Sequence, residues 1–384
     1  MEYAQHMKFS QPTAAREVNR LRVLNLLAGT SDYSRADIAR ILDLNKPSTS
    51  EIIEQLLNEG IVEETGKKTT ATGRRPTSIH LKSDSLLVLG VDMGSRNTSI
   101  GLSDLKGNLL RFERFPTNLR PKVEELCRDV IKSCMKMAKL TSLPIAGITV
   151  AVNGVLSEDK QVLVSNDIWD WRDVPLAQAI ETNTKIPTSL VNNVEAMVNA
   201  HTWFSEEPSE NFLFINWAEH IGCAWVSKNL ITSEHTQFGH LPIAGTGLCR
   251  CGNIGCLETV AAGWAISERH MSKSVKQISQ APSDLEREDL INACQSMAMA
   301  LIAASAITGC DKIVLGGGIA NLEDEYLQHL IAFYRQHAHS RRSQIPIVRS
   351  PLKEKAGLMG SIATALDTWV FKRSLLNLVK SQEH

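Results

Sequence analysis

Three thiols crowd into eight residues, Cys249-Arg250-Cys251-Gly252-Asn253-Ile254-Gly255-Cys256, and His240 lies nine residues upstream. A backbone that brings these side chains to one point must turn sharply, and the two glycines supply the freedom. Three sulfurs and one imidazole suit tetrahedral zinc. Four protein ligands leave no open coordination position, so the predicted ion is structural: it ties two chain segments and activates no water. His235 is a second candidate for the fourth ligand. The other five of the eight cysteines, Cys127, Cys134, Cys223, Cys294 and Cys310, stand apart from one another. In a long chain whose N-terminus has no signal-peptide core, they are expected to be reduced thiols in a cytoplasmic protein rather than a disulfide framework.

The first eighty residues carry a different pattern. Leu21, Leu24 and Leu27 form an apolar stripe that ends near Gly29. Ser34 with Asp37 three residues on resembles a capping box before a short second helix, with Ile38, Ile41 and Leu42 as its core face. Asn45 or Ser48 starts a third helix, whose Ile52, Ile53, Leu56 and Leu57 face inward until Gly60 stops it. Helix, tight turn and helix predict a helix-turn-helix, with Lys46, Ser48, Thr49, Ser50 and Glu51 at the exposed leading end that enters a major groove. From Ile61 to Leu81 the chain alternates and breaks at Gly66 and Gly73, which predicts a two-stranded wing.

The wing is charged where the whole chain is not. Residues 65–82 hold Lys67, Lys68, Arg74, Arg75 and Lys82 and no acid, whereas the chain as a whole balances 41 Lys+Arg against 42 Asp+Glu. Binding to DNA is therefore expected to be local. Gly73-Arg74-Arg75-Pro76 is suited to a narrow A·T-rich minor groove, where the potential is most negative. The expected contacts to double-stranded DNA are Arg35, Lys46, Pro47, Ser48, Thr49, Ser50, Arg74 and Arg75.

With 384 residues the chain has room for two or three domains. From Leu86, short β-rich runs alternate with amphipathic helices. Strands are predicted at Leu87 to Asp92, Ser99 to Asp104, Leu109 to Phe115 and Ala146 to Val152, with a helix at Val123 to Lys139. Phe212 to Ser227 begins a second unit of similar plan. A buried Ala-rich helix, Ala293 to Thr308, then feeds a strand at Lys312 to Leu315 and Gly316-Gly317-Gly318. The pattern resembles the duplicated actin-like fold of sugar kinases. The expected architecture is α/β: a winged helix-turn-helix at 1–82, one lobe at 83–200 and a second at 201–384, whose last helices pack back on the first. The longest nearly apolar stretch, Met297 to Gly309, falls short of the roughly 20 residues of a membrane span, so no membrane insertion is expected.

Gly239-His240 followed by Cys249 to Cys256, Leu257 and Glu258 resembles the signature of the ROK family of repressors and sugar kinases, and the resemblance covers nearly the whole chain. Repressors of that family add an N-terminal winged helix-turn-helix ending in a Gly-Arg-Pro-like wing, similar to the one here. The family's kinases place their catalytic Asp in a segment similar to Val191-Asn192-Asn193-Val194-Glu195-Ala196, where this chain holds Asn193. An amide is no base near neutral pH, and Glu195 is the alternative carboxylate. The loop similar to the second phosphate motif, Asn216 to Gly222, keeps only Gly222 and adds Trp217 and Glu219. In the first motif, Asp92 to Thr98, Arg96 replaces a small residue.

The resemblance thus implies a protein that is no longer an enzyme but keeps a sugar pocket. That pocket is implied to use Gly154, Asn166, Asn192, Asn193, Gln237, His240 and Glu258, with Gln237 in place of the family's usual Glu. His240 would serve zinc with one nitrogen and the pocket wall with the other. The expected function is a transcriptional repressor of carbohydrate uptake or catabolism genes, acting as a homodimer or tetramer on a DNA operator and released by a sugar or sugar phosphate. Two alternatives stand beside it: an active sugar kinase, and a regulator titrated by a transporter protein.

Overall fold

Local signals account for how the N-terminal head begins and ends its helices. The computed structural model describes residues 12–29, 32–65, 69–70, 73–74, 77–204, 209–227, 230–232 and 236–372. Helices α1 (Pro12–Leu27), α2 (Arg35–Ile41) and α3 (Lys46–Asn58) build the head. Ser34 and Asp37 cap α2 reciprocally, side chain to backbone in both directions. The Asn45 side chain accepts the Ser48 N–H at 2.8 Å, so Asn45 rather than Ser48 starts α3. Gly60, at φ +70°, ends it.

The head core joins Leu24, Leu27, Ile38, Ile52, Ile53 and Leu56 to Val62 and Ile79 of the wing. Ile41 departs from expectation: it lies on the outer side of α2 and is exposed. The wing gains a third strand, because β1 (Tyr33–Ser34) pairs with β5 (Ser78–Leu81), which pairs in turn with β2 (Val62–Thr65). Further out, β3 (Thr69–Thr70) and β4 (Gly73–Arg74) form a separate hairpin.

Two five-stranded sheets with one plan form the body. In the first, β6 (Leu87–Met93), β7 (Asn97–Ser103), β8 (Leu109–Pro116), β9 (Ile145–Val152) and β13 (Thr188–Asn192) lie in the order β13-β9-β6-β7-β8. In the second, β14 (Asn211–Trp217), β15 (Ile221–Ser227), β16 (Leu230–Thr232), β17 (Lys312–Gly316) and β18 (Ile347–Arg349) lie in the order β16-β15-β14-β17-β18. Both have an antiparallel meander on one side of the first strand and parallel strands on the other. A small sheet, β10 (Val155–Leu156), β11 (Leu163–Asn166) and β12 (Trp171–Val174), flanks the first lobe.

Helix α4 (Val123–Lys139) occupies the expected span and packs on α5 (Leu176–Thr184). Helix α6 (Asn193–Phe204) follows β13 without a break, so a boundary at residue 200 cuts through it. After α7 (Glu258–Ala261), α8 (Gly263–Arg269) and α9 (Val275–Gln280), the Ala-rich helix α10 starts earlier than the sequence predicts, at a Ser283/Glu286 capping box, and runs from Asp284 to Thr308. It is the one described helix with the length and hydropathy of a membrane span. Its Leu290, Ala293, Cys294, Met297 and Leu301 are buried in the core of the second lobe. After α11 (Asp324–His337), α12 (Ala356–Leu366) returns to the first lobe and packs on α6 and β6. The following turn, Asp367–Phe371, carries the chain to the head, where Asn25 donates to the Phe371 carbonyl at 2.8 Å.

One buried histidine makes this packing sensitive to acid. His201 of α6 sits against Phe212 and Phe214 with both ring nitrogens unpartnered, and burial, with Lys312 adding, pushes its pKa from 6.5 down to about 4. It therefore folds neutral. Stability is full above pH 6.5 and falls as pH drops towards 4, by about 3 kcal/mol in total. Replacing His201 with Phe should flatten the melting temperature against pH across that window; an unchanged slope would assign the acid response to other groups.

Candidate functional site

The leading end of α3 presents Lys46, Pro47 and Ser50 to solvent, with Ser48 half-buried. Thr49 does not belong with them. It is 1% exposed, and its hydroxyl donates to the Asn45 carbonyl, so it anchors the first turn instead of facing a groove. Arg35 is held by Glu54 at 3.2 Å and Glu64 at 2.8 Å. The backbone of Arg74 lies in the outer hairpin, its side chain is not described, and Arg75 lies outside the described residues.

The cysteine knuckle closes on His240. The ligand atoms of His240, Cys249, Cys251 and Cys256 all lie within 4.8 Å of one another. Cys251 and Cys256 Sγ are 3.7 Å apart, and Cys249 Sγ is 3.6 Å from His240 Nδ1. A tetrahedral ion about 2.3 Å from sulfur and about 2.0 Å from nitrogen needs edges of roughly 3.5–3.8 Å, so the donor set fits a metal. The turn is set by the Cys249 N–H donating to the Asn253 carbonyl and the Gly252 N–H donating to the Cys249 carbonyl, with Gly252 and Gly255 at positive φ. His235, the other candidate ligand, lies outside the described residues.

Between the lobes runs a narrow cleft of about 60 Å³, bordered by the β6–β7 turn, the start of α6 and the β14–β15 turn. The residues the resemblance assigns to a sugar pocket are placed unequally around it. Asn193 lines the cleft, and its Oδ1 has no partner. Asn166 also lines it but is committed: its amide donates to the Asn153 carbonyl, and its oxygen accepts the N–H groups of Ile168 and Trp169. Asn192 donates to the Gly154 carbonyl and accepts the Val194 N–H, capping α6. Gly154, at φ +122°, lies where a Cβ would meet the Ser165 carbonyl, so it is required by the backbone. Gln237 is exposed, and the Nδ1 side of His240 faces the knuckle.

Glu258 is turned to a structural task. Its carboxylate accepts the Ile221 N–H at 2.7 Å and the Trp264 indole N–H at 3.0 Å, and His220 Nδ1 lies 3.4 Å away. Burial raises its pKa, but His220 and these donors outweigh it and hold the carboxyl below the usual range. Glu195, the alternative base, lies 3.9 Å from Lys160, and burial raises its pKa.

Two cleft residues were not singled out from sequence. Asn216 is 8% exposed with an unpartnered Oδ1, and His220 has an unpartnered buried Nε2. A polar residue ending an apolar strand and an imidazole in the turn that follows it were the available signals. Across the mouth, Arg96 of the first lobe donates to Glu219 of the second through Nε at 2.9 Å, with Nη2 at 2.7 Å. Arg96 is half exposed, so the bond contributes on the order of 1 kcal/mol or less.

The chain matches the ROK family over residues 88–368, and the bacterial regulatory protein, arsR family, over residues 17–64. It is 24% identical over 385 residues to a xylose repressor from Caldicellulosiruptor bescii, covering 92% of this chain and 96% of that protein. It is 22% identical over 391 residues to the DNA-binding transcriptional dual regulator NagC from Escherichia coli, covering 94% of each. A solved ROK family transcriptional regulator, a homolog of the E. coli MLC protein, superposes with a TM-score of 0.81 at 18% identity, over 94% of this chain and 99% of that one. Because the ROK match spans most of its length, the chain belongs to the ROK family.

Proposed function

We propose that the protein is a DNA-binding transcriptional repressor of carbohydrate genes, acting in the cytoplasm, whose ROK body senses a sugar instead of phosphorylating it. One observation carries the reading: a helix-turn-helix head with an exposed helix start sits on a two-lobed body; Asn193, at the position where the resemblance puts the kinases' carboxylate, supports it. The names and the near full-length coverage of the repressors similar to it support the same assignment. Two heads of a dimer would occupy the half-sites of a palindromic operator, with Lys46, Pro47, Ser48 and Ser50 at the major groove and Arg74 and Arg75 at the minor groove. A sugar can change operator affinity only through its unequal affinity for two lobe arrangements. Helix α12 offers the route, because it touches the cleft elements β6 and α6 and leads to the turn on which α1 rests.

The experiment is a titration of the full chain against duplexes from its own promoter region. Ser50→Glu should abolish retention, Lys46→Ala and Arg75→Ala should each weaken it by about 1–3 kcal/mol, and Thr49→Val should leave it within a factor of about three. No retained duplex at moderate salt would defeat the assignment.

Zinc in the His240, Cys249, Cys251 and Cys256 set is part of the proposal, as a structural ion. One equivalent per chain should be measured by elemental analysis. Cys256→Ser and Cys249→Ser should lose it and lower the melting temperature by several degrees, since metal binding and folding are coupled. A metal-free preparation that melts at the same temperature with and without added zinc would remove the ion from the account.

A further inference from the structure

Two charged residues in the loops that the resemblance likens to phosphate motifs meet each other. Arg96, in the β6–β7 turn, and Glu219, in the β14–β15 turn, form the ion pair that spans the cleft mouth. The neighbouring backbone donors are occupied as well. The Ala218 N–H donates to the His220 carbonyl, and the Ile221 N–H to the Glu258 carboxylate, so neither is left to receive an anion. A phosphate entering here would find one guanidinium already neutralised and the carboxylate of Glu219 in the cleft lining. The orphaned cleft atoms ask for the opposite chemistry. Asn193 Oδ1 and Asn216 Oδ1 are buried acceptors without donors, a need that hydroxyl groups meet and a phosphate dianion does not.

Resting on the sugar-sensing function proposed above, we infer that the cleft is a site for an uncharged, hydroxyl-donating monosaccharide, and that the Arg96–Glu219 pair makes it reject the phosphorylated form of the same sugar. The pair neutralises the guanidinium beside the cleft and leaves Glu219 in its lining, so the site offers no unpaired positive charge to an anionic group. The cleft holds about 60 Å³, well below the roughly 300 Å³ at the lower end of ligand pockets. Entry of a sugar ring therefore requires the cleft to widen.

The test is calorimetric titration of the full-length protein with three free sugars, glucose, N-acetylglucosamine and xylose, and with the 6-phosphates of the first two. A free sugar should bind at least about thirtyfold more tightly than its phosphate. Glu219→Gln, which frees the guanidinium, should narrow that ratio at least about tenfold, while Arg96→Gln, which leaves the carboxylate alone, should widen it. Opposite shifts from two changes at one bond separate charge selection from a general loss of fold. A phosphosugar that binds the wild type more tightly than its parent, or a ratio that neither variant moves, overturns the inference while leaving sugar sensing intact. Absence of binding by all five compounds overturns sugar sensing and the inference together.

Discussion

The close seating of helix α12 on the first lobe is the contact on which the arrangement of head, cleft and sheet depends. A Cβ at Gly360 would lie 2.3 Å from the Ala196 carbonyl of α6, and one at Gly357 would lie 2.2 Å from the Asp92 carboxylate of β6. From the other side, a Cβ at Gly90 would strike Ser361 at 2.6 Å. Only backbone fits at these points, so α12 cannot slide without moving the strand and the helix that border the cleft. Leu358 and Ile362 of the same helix join the cluster that contains Leu24, Ile52 and Phe371. Head and α12 thus share one packed core.

The knuckle reaches the cleft by a shorter path. Cys256 is followed by Leu257, which is fully buried, and then by Glu258, whose carboxylate holds the Ile221 amide and the Trp264 indole. A metal that fixes Cys256 would fix the start of α7 and, through Glu258, the turn that carries Glu219 and His220. On this geometry the residue that the family resemblance assigns to sugar positions the loop opposite instead. Asn166 and Asn192 likewise hold local structure, their side chains bonded to the Asn153 and Gly154 carbonyls and to nearby N–H groups. What remains unsatisfied lies in the cleft lining, at Asn193, Asn216 and His220.

Much of this is legible in the amino-acid sequence. Capping at Ser34 and Asn45, the stop at Gly60, the span of α4 and the three strands that open the first lobe follow from nearest-neighbour chemistry, which the chain states residue by residue. The cysteine spacing announced a knuckle for the same reason. Errors came where two remote segments decide the outcome. Ile41 has helical spacing for the core yet is exposed, and Thr49, at the polar start of α3, is buried. Strand β1, two residues long, exists because Ser78–Leu81 offers it an edge.

The sequence by itself determined the head, the thiol cluster and the succession of strands and helices in the body, because each is written in contiguous residues and in periods of two or three to four. Tertiary structure alone decided that Arg96 and Glu219, 123 positions apart, face each other. It alone decided that Glu258 braces a loop and that a helix near the C-terminus joins cleft to head. Pairings of that kind depend on how two lobes close, and no local pattern encodes the distance between residues that only a folded core brings together.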